Sequence, residues 1–186
     1  GNETAEVGIW QKGPDADIFK KAEAVLGKLN IIAENLGFIT PEVQRMLDKT
    51  GYPGMKVVEF AFSDSENEYF PHNFTTTHCY SYTGTHDNDT LVGWYKSLDK
   101  ASLEFCRDYL NVKYDNEIPD AMLRTVWSGI SEAAIAQFQD VIGADTECRM
   151  NTPSTFSGNW KYRAKKSDFT KELKEKLLKL NTLYNR

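Results

Sequence analysis

The chain has 186 residues, 40% of them hydrophobic and 26% charged, enough for one soluble domain with a real core over residues 1–186. Its 22 basic and 27 acidic side chains leave a formal charge of −5, which argues against a nucleic-acid partner. No apolar run approaches the roughly 20 residues needed to cross a bilayer, so no membrane partner is expected.

Residues 1–16 are polar and glycine-bearing and read as a loop. The first four lack the basic start and apolar stretch of a signal peptide, and the absence of Met reads as an internal boundary. Residues 17–27 carry Ile18, Phe19, Ala22, Val25 and Leu26 at helical spacing and end on Gly27. Leu29-Asn30-Ile31-Ile32-Ala33 is rich in β-branched residues and predicts a buried strand that stops at Glu34. Thr40-Pro41-Glu42 is a helix start, with a capping hydroxyl, Pro in the first turn and an acid beside the helix dipole. That helix runs to about Lys49. Residues 55–62 predict a second strand, followed by an acidic, aromatic loop to Asn73. Residues 79–82 predict a third.

A helix is expected to open at Thr90, a second over residues 101–110 and a third near Pro119. Residues 134–142 read as a fourth strand, residues 148–163 as a polar loop, and Ser167 as the cap of a last helix bearing Leu173, Leu177, Leu180 and Leu183. Strands alternating with helices imply an α/β fold with a parallel sheet. Four strands in 186 residues fit the C-terminal half of a (β/α)8 TIM-type barrel with extra helices, since a closed barrel needs about 250 residues. A four-stranded open, doubly wound sheet is the alternative. No glycine fingerprint follows any strand, so a bound nucleotide has no support.

Cys79, Cys106 and Cys148 are odd in number and widely spaced, with no Cys-x-x-Cys pair, so free thiols in a reducing cytoplasm are expected and no structural metal. The four tryptophans, Trp10, Trp94, Trp127 and Trp160, read either as core or as sugar platforms.

The densest chemistry lies in Tyr82-Thr83-Gly84-Thr85-His86-Asp87-Asn88-Asp89-Thr90. A polar cluster just past a strand's C-terminal end is where an α/β barrel keeps its reactive groups. One reading makes it a turn whose Asx side chains cap the following helix. The other pairs Asp87 with Glu34, both at strand ends and both facing one cleft. Two carboxylates in unequal surroundings are the equipment of glycosidic-bond chemistry. Glu34 follows an apolar run, so partial burial is expected to raise its pKa and suit it to proton donation. A solvated strand-end residue is the plainer reading of Glu34. His86 and Asp87 side by side suit the gripping of a sugar diol. A metal set built on His86, Asp87 and Asp89 is disfavoured, because His72 and His78 are not at ligand spacing from them.

These stretches carry a resemblance. Gly8, Trp10 and Gly13-Pro14 after Thr4-Ala5, then Ile31-Ile32-Ala33-Glu34-Asn35-Leu36-Gly37, Gly37-Phe38-Ile39-Thr40-Pro41-Glu42-Val43, Gly54-Met55-Lys56-Val57 and Pro71-His72-Asn73 follow one another in order. The stretch from Tyr82 to Thr90, Arg149-Met150-Asn151-Thr152-Pro153 and Gly158-Asn159-Trp160 complete the series. The chain resembles the C-terminal part of the amylomaltases, or disproportionating enzymes, 4-α-glucanotransferases of the α-amylase-like clan. The resemblance implies Glu34 as general acid/base and Asp87 as the carboxylate that holds sugar hydroxyls and favours a distorted ring. It implies His86 and Asn151 as glucan-binding residues and Phe60 as an aromatic contact near the acceptor side. It implies a retaining transfer of α-1,4-glucan chains between maltooligosaccharides, with no cofactor and no metal.

Two positions depart from the family pattern: Asn35 replaces an Asp and Ser154 a Gly. A third departure bears on mechanism. The family nucleophile lies in an Arg-x-Asp-His motif upstream of the matched stretches, and no such motif occurs in the 186 residues. The chain by itself is therefore expected to be inactive, and to self-associate or to need its N-terminal half. A non-catalytic carbohydrate-binding remnant and an α-glucan hydrolase of the same clan are the competing readings.

Overall fold

The computed structural model describes residues 8–9, 11–37 and 39–186. Thr4, Ala5, Trp10 and Phe38, which belong to the stretches above, lie outside the described residues. The chain divides into two compact units, one through Gly54 and one from Met55 to Arg186.

The first unit holds helices α1 (Asp17–Leu26) and α2 (Pro41–Thr50). The α2 start follows the sequence: Thr40 Oγ1 accepts the Val43 N–H, Pro41 opens the first turn, and Gly51 closes the helix at φ 65°. The Tyr52 hydroxyl donates to Glu23 at 3.0 Å, and the Phe19 and Tyr52 rings meet edge to face at 5.4 Å. The strand expected over residues 29–33 is reduced to one parallel bridge, Ala33 to Gly54, backed by the Ala33 N–H donating to the Pro53 carbonyl at 2.8 Å. β-branched residues favour a strand only where a ladder exists to receive them, and among the described residues this stretch finds one rung. Ile32 is accordingly 39% exposed.

The second unit carries a sheet in the order β1 (Gly54–Val57), β2 (Cys79–Tyr82), β3 (Ala133–Ile135). β2 and β3 run parallel with Tyr80 opposite Ala133 and Tyr82 opposite Ile135. Helices α3 (Leu91–Ser97), α4 (Lys100–Leu110), α5 (Ile118–Ser128), α6 (Phe138–Val141) and α7 (Lys171–Tyr184) complete the unit. α5 is central, touching α3, α4, α6, α7 and β3. Its Ile118, Met122, Leu123 and Val126 are all buried. Around them gather Phe62, Phe70, Leu91, Cys106 and Leu180. The Trp127 indole N–H donates to Asn181 at 2.8 Å, which satisfies a polar atom taken into the core.

Two strand expectations are corrected here. The second strand ends at Val57, and Val58–Ala61 is a 3-10 turn. The fourth is short, Ala133–Ile135, and the chain coils into α6 where residues 138–142 read as extended. Both breaks occur where a carboxylate turns inward: Glu59 in the first, Asp140 in the second, both buried. The count among the described residues is three strands and an isolated bridge rather than four strands. The last helix is capped by Thr170, whose hydroxyl accepts the Leu173 N–H, and not by Ser167, which sits in a preceding 3-10 turn. Among the described residues no helix is long and apolar enough to cross a membrane.

Candidate active site

The segment after β2 explains itself residue by residue. Thr83 and Gly84 are buried, and Thr83 continues the ladder by donating its N–H to the Ile135 carbonyl at 3.1 Å. Asn88 folds its side chain back and accepts from both the N–H and the hydroxyl of Thr85, each at 2.8 Å. Thr90 caps α3 by accepting the Gly93 N–H. The cap of α3 is therefore Thr90, where the sequence expects the helix to open, while Asn88 closes the turn on Thr85 rather than capping the helix; both groups are consumed locally.

Asp87 is different. Its Oδ1 accepts from Asn151 Nδ2 at 2.6 Å, across 64 residues of sequence, and lies 3.3 Å from His86 Nε2. Asp87 and His86 stay about half exposed, so these groups remain open to a solute. The Trp160 ring lies against the His86 imidazole with centroids 5.2 Å apart and is itself 57% exposed. Trp160 has φ 61°, a backbone setting that a bulky side chain seldom takes, and its N–H donates to the Met150 carbonyl at 2.8 Å. An exposed aromatic face beside two polar groups and a carboxylate offers an apolar surface with hydrogen-bonding groups at its edge. Of the four tryptophans, Trp127 is core and Trp94 packs on Phe62 at 5.2 Å. Trp160 is the one in the platform position among those described.

Asn151 is set by Arg149. The Arg149 guanidinium donates from Nε to the Asn151 carbonyl at 2.8 Å and from Nη2 to the Asp87 carbonyl at 2.7 Å. Asp89 lies 4.0 Å from Nη1 and accepts the Thr146 hydroxyl at 2.8 Å. Behind this group are two buried acids. Asp140 accepts the Thr83 hydroxyl at 2.6 Å and the Leu91 N–H at 2.8 Å. Burial pushes its carboxyl up to about 6, against the pull of those two bonds. Glu59 is 5% exposed, and neither of its carboxyl oxygens has a hydrogen-bond partner among the described residues. Burial first, then the charges of Asp140 and Asp89, drive its pKa well above the ordinary carboxylate range, while Arg149 pulls the other way. Glu59 lies so close to Gly84 that a Cβ there would come within 2.9 Å of its Oε1.

The structure therefore brings His86, Asp87 and Asn151 together. Phe60 is held by another neighbour: its ring meets Tyr69 edge to face at 5.8 Å, and it is 41% exposed. Glu34 belongs to the first unit, where it is exposed, so the partial burial expected for it is not found. Arg149 enters the sequence reading only within a matched stretch and Trp160 only as core or sugar platform, and no role is read there for Glu59 or Asp140. The last two left a signal, since each is a lone acid within an apolar run, Val57-Val58-Glu59-Phe60 and Phe138-Gln139-Asp140-Val141. Such a residue is carried inward when its immediate neighbours are buried, as Val57 and Val58 are before Glu59 and Val141 is after Asp140.

A family profile described as 4-alpha-glucanotransferase matches residues 1–169. The chain belongs to the 4-alpha-glucanotransferase family. It is 43% identical to a 4-alpha-glucanotransferase of Streptococcus pneumoniae serotype 4, covering 100% of this chain and 37% of that protein. It is 40% identical to one from Thermus thermophilus, over 86% of this chain and 33% of the relative. It also superimposes on an amylomaltase from Streptococcus agalactiae in complex with acarbose, with a TM-score of 0.92 at 37% identity, covering 100% of this chain and 38% of that one. The chain thus spans about a third of the length of these relatives.

Proposed function

We propose that these 186 residues are the C-terminal part of a longer, retaining 4-α-glucanotransferase, folded as part of its (β/α)8 catalytic barrel. Its partners are α-1,4-glucans and maltooligosaccharides. Family membership supports the reaction class, and the single observation that carries the site is the contact of Asp87 with Asn151 and His86 beneath the exposed Trp160 ring. Asp87 grips sugar hydroxyls through the carboxylate oxygen that Asn151 does not take. Asn151 and His86 hold its orientation and add hydrogen bonds of their own. Phe60 contributes an apolar face to the glucan.

In the first step Glu34 gives its proton to the glycosidic oxygen, the C1–O bond breaks, and a carboxylate nucleophile takes the glycosyl carbon. In the second, Glu34 removes the proton from an incoming sugar hydroxyl, whose oxygen displaces the enzyme carboxylate and restores the bond with retained configuration. The nucleophile belongs to an Arg-x-Asp-His motif that residues 1–186 lack. It would be supplied by the N-terminal half. A cytoplasmic setting goes with this reading, because Cys79, Cys106 and Cys148 are free thiols.

The test is disproportionation of maltotriose. The chain alone is expected to leave maltotriose intact, and the full-length protein to produce longer and shorter maltodextrins. Glu34→Gln in the full-length protein is expected to abolish that redistribution. Net release of glucose without longer products would favour the hydrolase reading. Turnover by the chain alone that disappears with Glu34→Gln would mean that another carboxylate serves as nucleophile. The non-catalytic reading draws its support from the missing motif, and binding without turnover by the full-length protein would establish it.

A further inference from the structure

The candidate sugar surface is assembled from two exposed polar loops. The turn bearing His86 and Asp87 follows β2, and the segment bearing Asn151 and Trp160 follows a 3-10 turn at Thr146–Cys148. The two loops meet at the His86–Trp160 ring contact, which lies at the proposed sugar surface itself, and otherwise through polar contacts. The Asn151 to Asp87 bond is one, but it uses the groups that the sugar must also address.

The other contacts centre on Arg149. Its two shortest bonds go to main-chain carbonyls, one in each loop, at 2.7 and 2.8 Å. A guanidinium presents its donors in a rigid plane, so two carbonyls bound to one fork are held at a fixed separation, which a lysine cannot do. Arg149 is seated in turn by Asp89, 4.0 Å away, and Asp89 is tied to the start of the same segment through the Thr146 hydroxyl. Helix α3 leaves room for that tie. At Gly93 a Cβ would lie 2.0 Å from Thr146 Oγ1 and 2.6 Å from Asp89 Cγ.

We propose that Arg149, seated by Asp89 and Thr146 over Gly93, is the positioning residue that holds the His86–Asp87 turn in register with the Asn151–Trp160 segment. It touches no sugar. Its effect is on backbone placement, and through that on the geometry of Asp87, Asn151 and Trp160. The importance of the clamp for catalysis rests on the glucan-binding reading above, but the clamp itself can be tested without it.

The chain has three histidines, so the imidazole region of an NMR spectrum holds three sets of signals. His86 is displaced by the ring current of Trp160, and His72, stacked on Phe70 at 5.3 Å, reports on the core independently. Trp160→Phe fixes the size of the His86 displacement. Arg149→Ala and Arg149→Lys are expected to abolish it while His72 stays in place, with guanidinium ion restoring it in Arg149→Ala. If Arg149→Ala also collapses the His72 signal, Arg149→Lys decides. A His86 displacement that survives in a folded Arg149 variant overturns the proposal. Maltotriose is then titrated into the wild-type chain and the variants. Weakening by about tenfold or more in Arg149→Lys follows if the clamp orders the glucan contacts, and equal affinity would count against it. A wild-type chain whose His86 and Trp160 signals ignore maltotriose sinks the glucan-contact reading, while the histidine shifts still decide whether the clamp exists.

Discussion

Asp140→Asn tests whether a charge is being held against burial beneath the site. Asp140 is fully buried, and its carboxyl is pushed from an ordinary 3.8 to about 6. The rise of about two units corresponds to about 3 kcal/mol, at roughly 1.36 kcal/mol per unit. The sign follows from proton counting. Between the two values the folded chain binds the proton and the unfolded chain does not, so stability falls as pH rises. The stabilising contribution is complete below pH 3.8 and is lost once the pH has passed about 6. An amide does not titrate, so Asp140→Asn removes this slope. It also lowers the electrostatic load on Glu59, whose pKa Asp140 helps to raise, and this acts in the same direction. The assay is urea unfolding followed by tryptophan emission at a series of pH values from 4 to 8. Apart from Glu59, whose change adds in the same direction, slopes from the other carboxylates cancel in the difference between variant and wild type. That difference should move by about 3 kcal/mol in favour of Asp140→Asn between pH 4 and pH 7. Parallel stability profiles for the two proteins would refute the reasoning, because they would mean that Asp140 is solvated and ionised at its ordinary pH.

Three further outcomes are expected. Gly84→Ala drives a methyl group into the Glu59 carboxyl, 2.9 Å from Oε1, and should cost about 1–3 kcal/mol in denaturant unfolding, partly recovered by adding Glu59→Ala. Ser154 sits at φ 62°, so Ser154→Gly should raise stability by up to about 1 kcal/mol, the strain relieved less the entropy that glycine adds to the unfolded chain; a clear loss of melting temperature would show that the serine is not strained. Asn151→Ala breaks a 2.6 Å bond to a carboxylate, of a kind worth about 1.5–3 kcal/mol, and should weaken maltooligosaccharide binding about tenfold or more by calorimetry on the full-length protein. An unchanged affinity there would place Asn151 outside the sugar site.

What local sequence determined was local chemistry. Thr40-Pro41, Thr90 and Gly51 set helix ends by hydrogen bonds and backbone preferences that reach only three or four residues, and the structure has them where the sequence puts them. The contact of His86 and Asp87 follows from adjacency, and the separation of Asn88 and Thr90 into structural roles follows from turn geometry. What tertiary structure alone decided was everything that depends on a partner far along the chain. Residues 58–62 and 138–142 are as apolar as strands, yet they coil, because Glu59 and Asp140 turn inward beneath the segment that follows β2. Residues 29–33 have the composition of a buried strand but meet one bridging partner, and a ladder is a property of two chain segments, not one. In the sequence Arg149 is only one residue of the Arg149-Met150-Asn151-Thr152-Pro153 stretch. Its function as a two-pronged brace exists only because folding brings the carbonyls of Asp87 and Asn151 within hydrogen-bond reach of a single planar group, and no periodicity or spacing encodes that meeting.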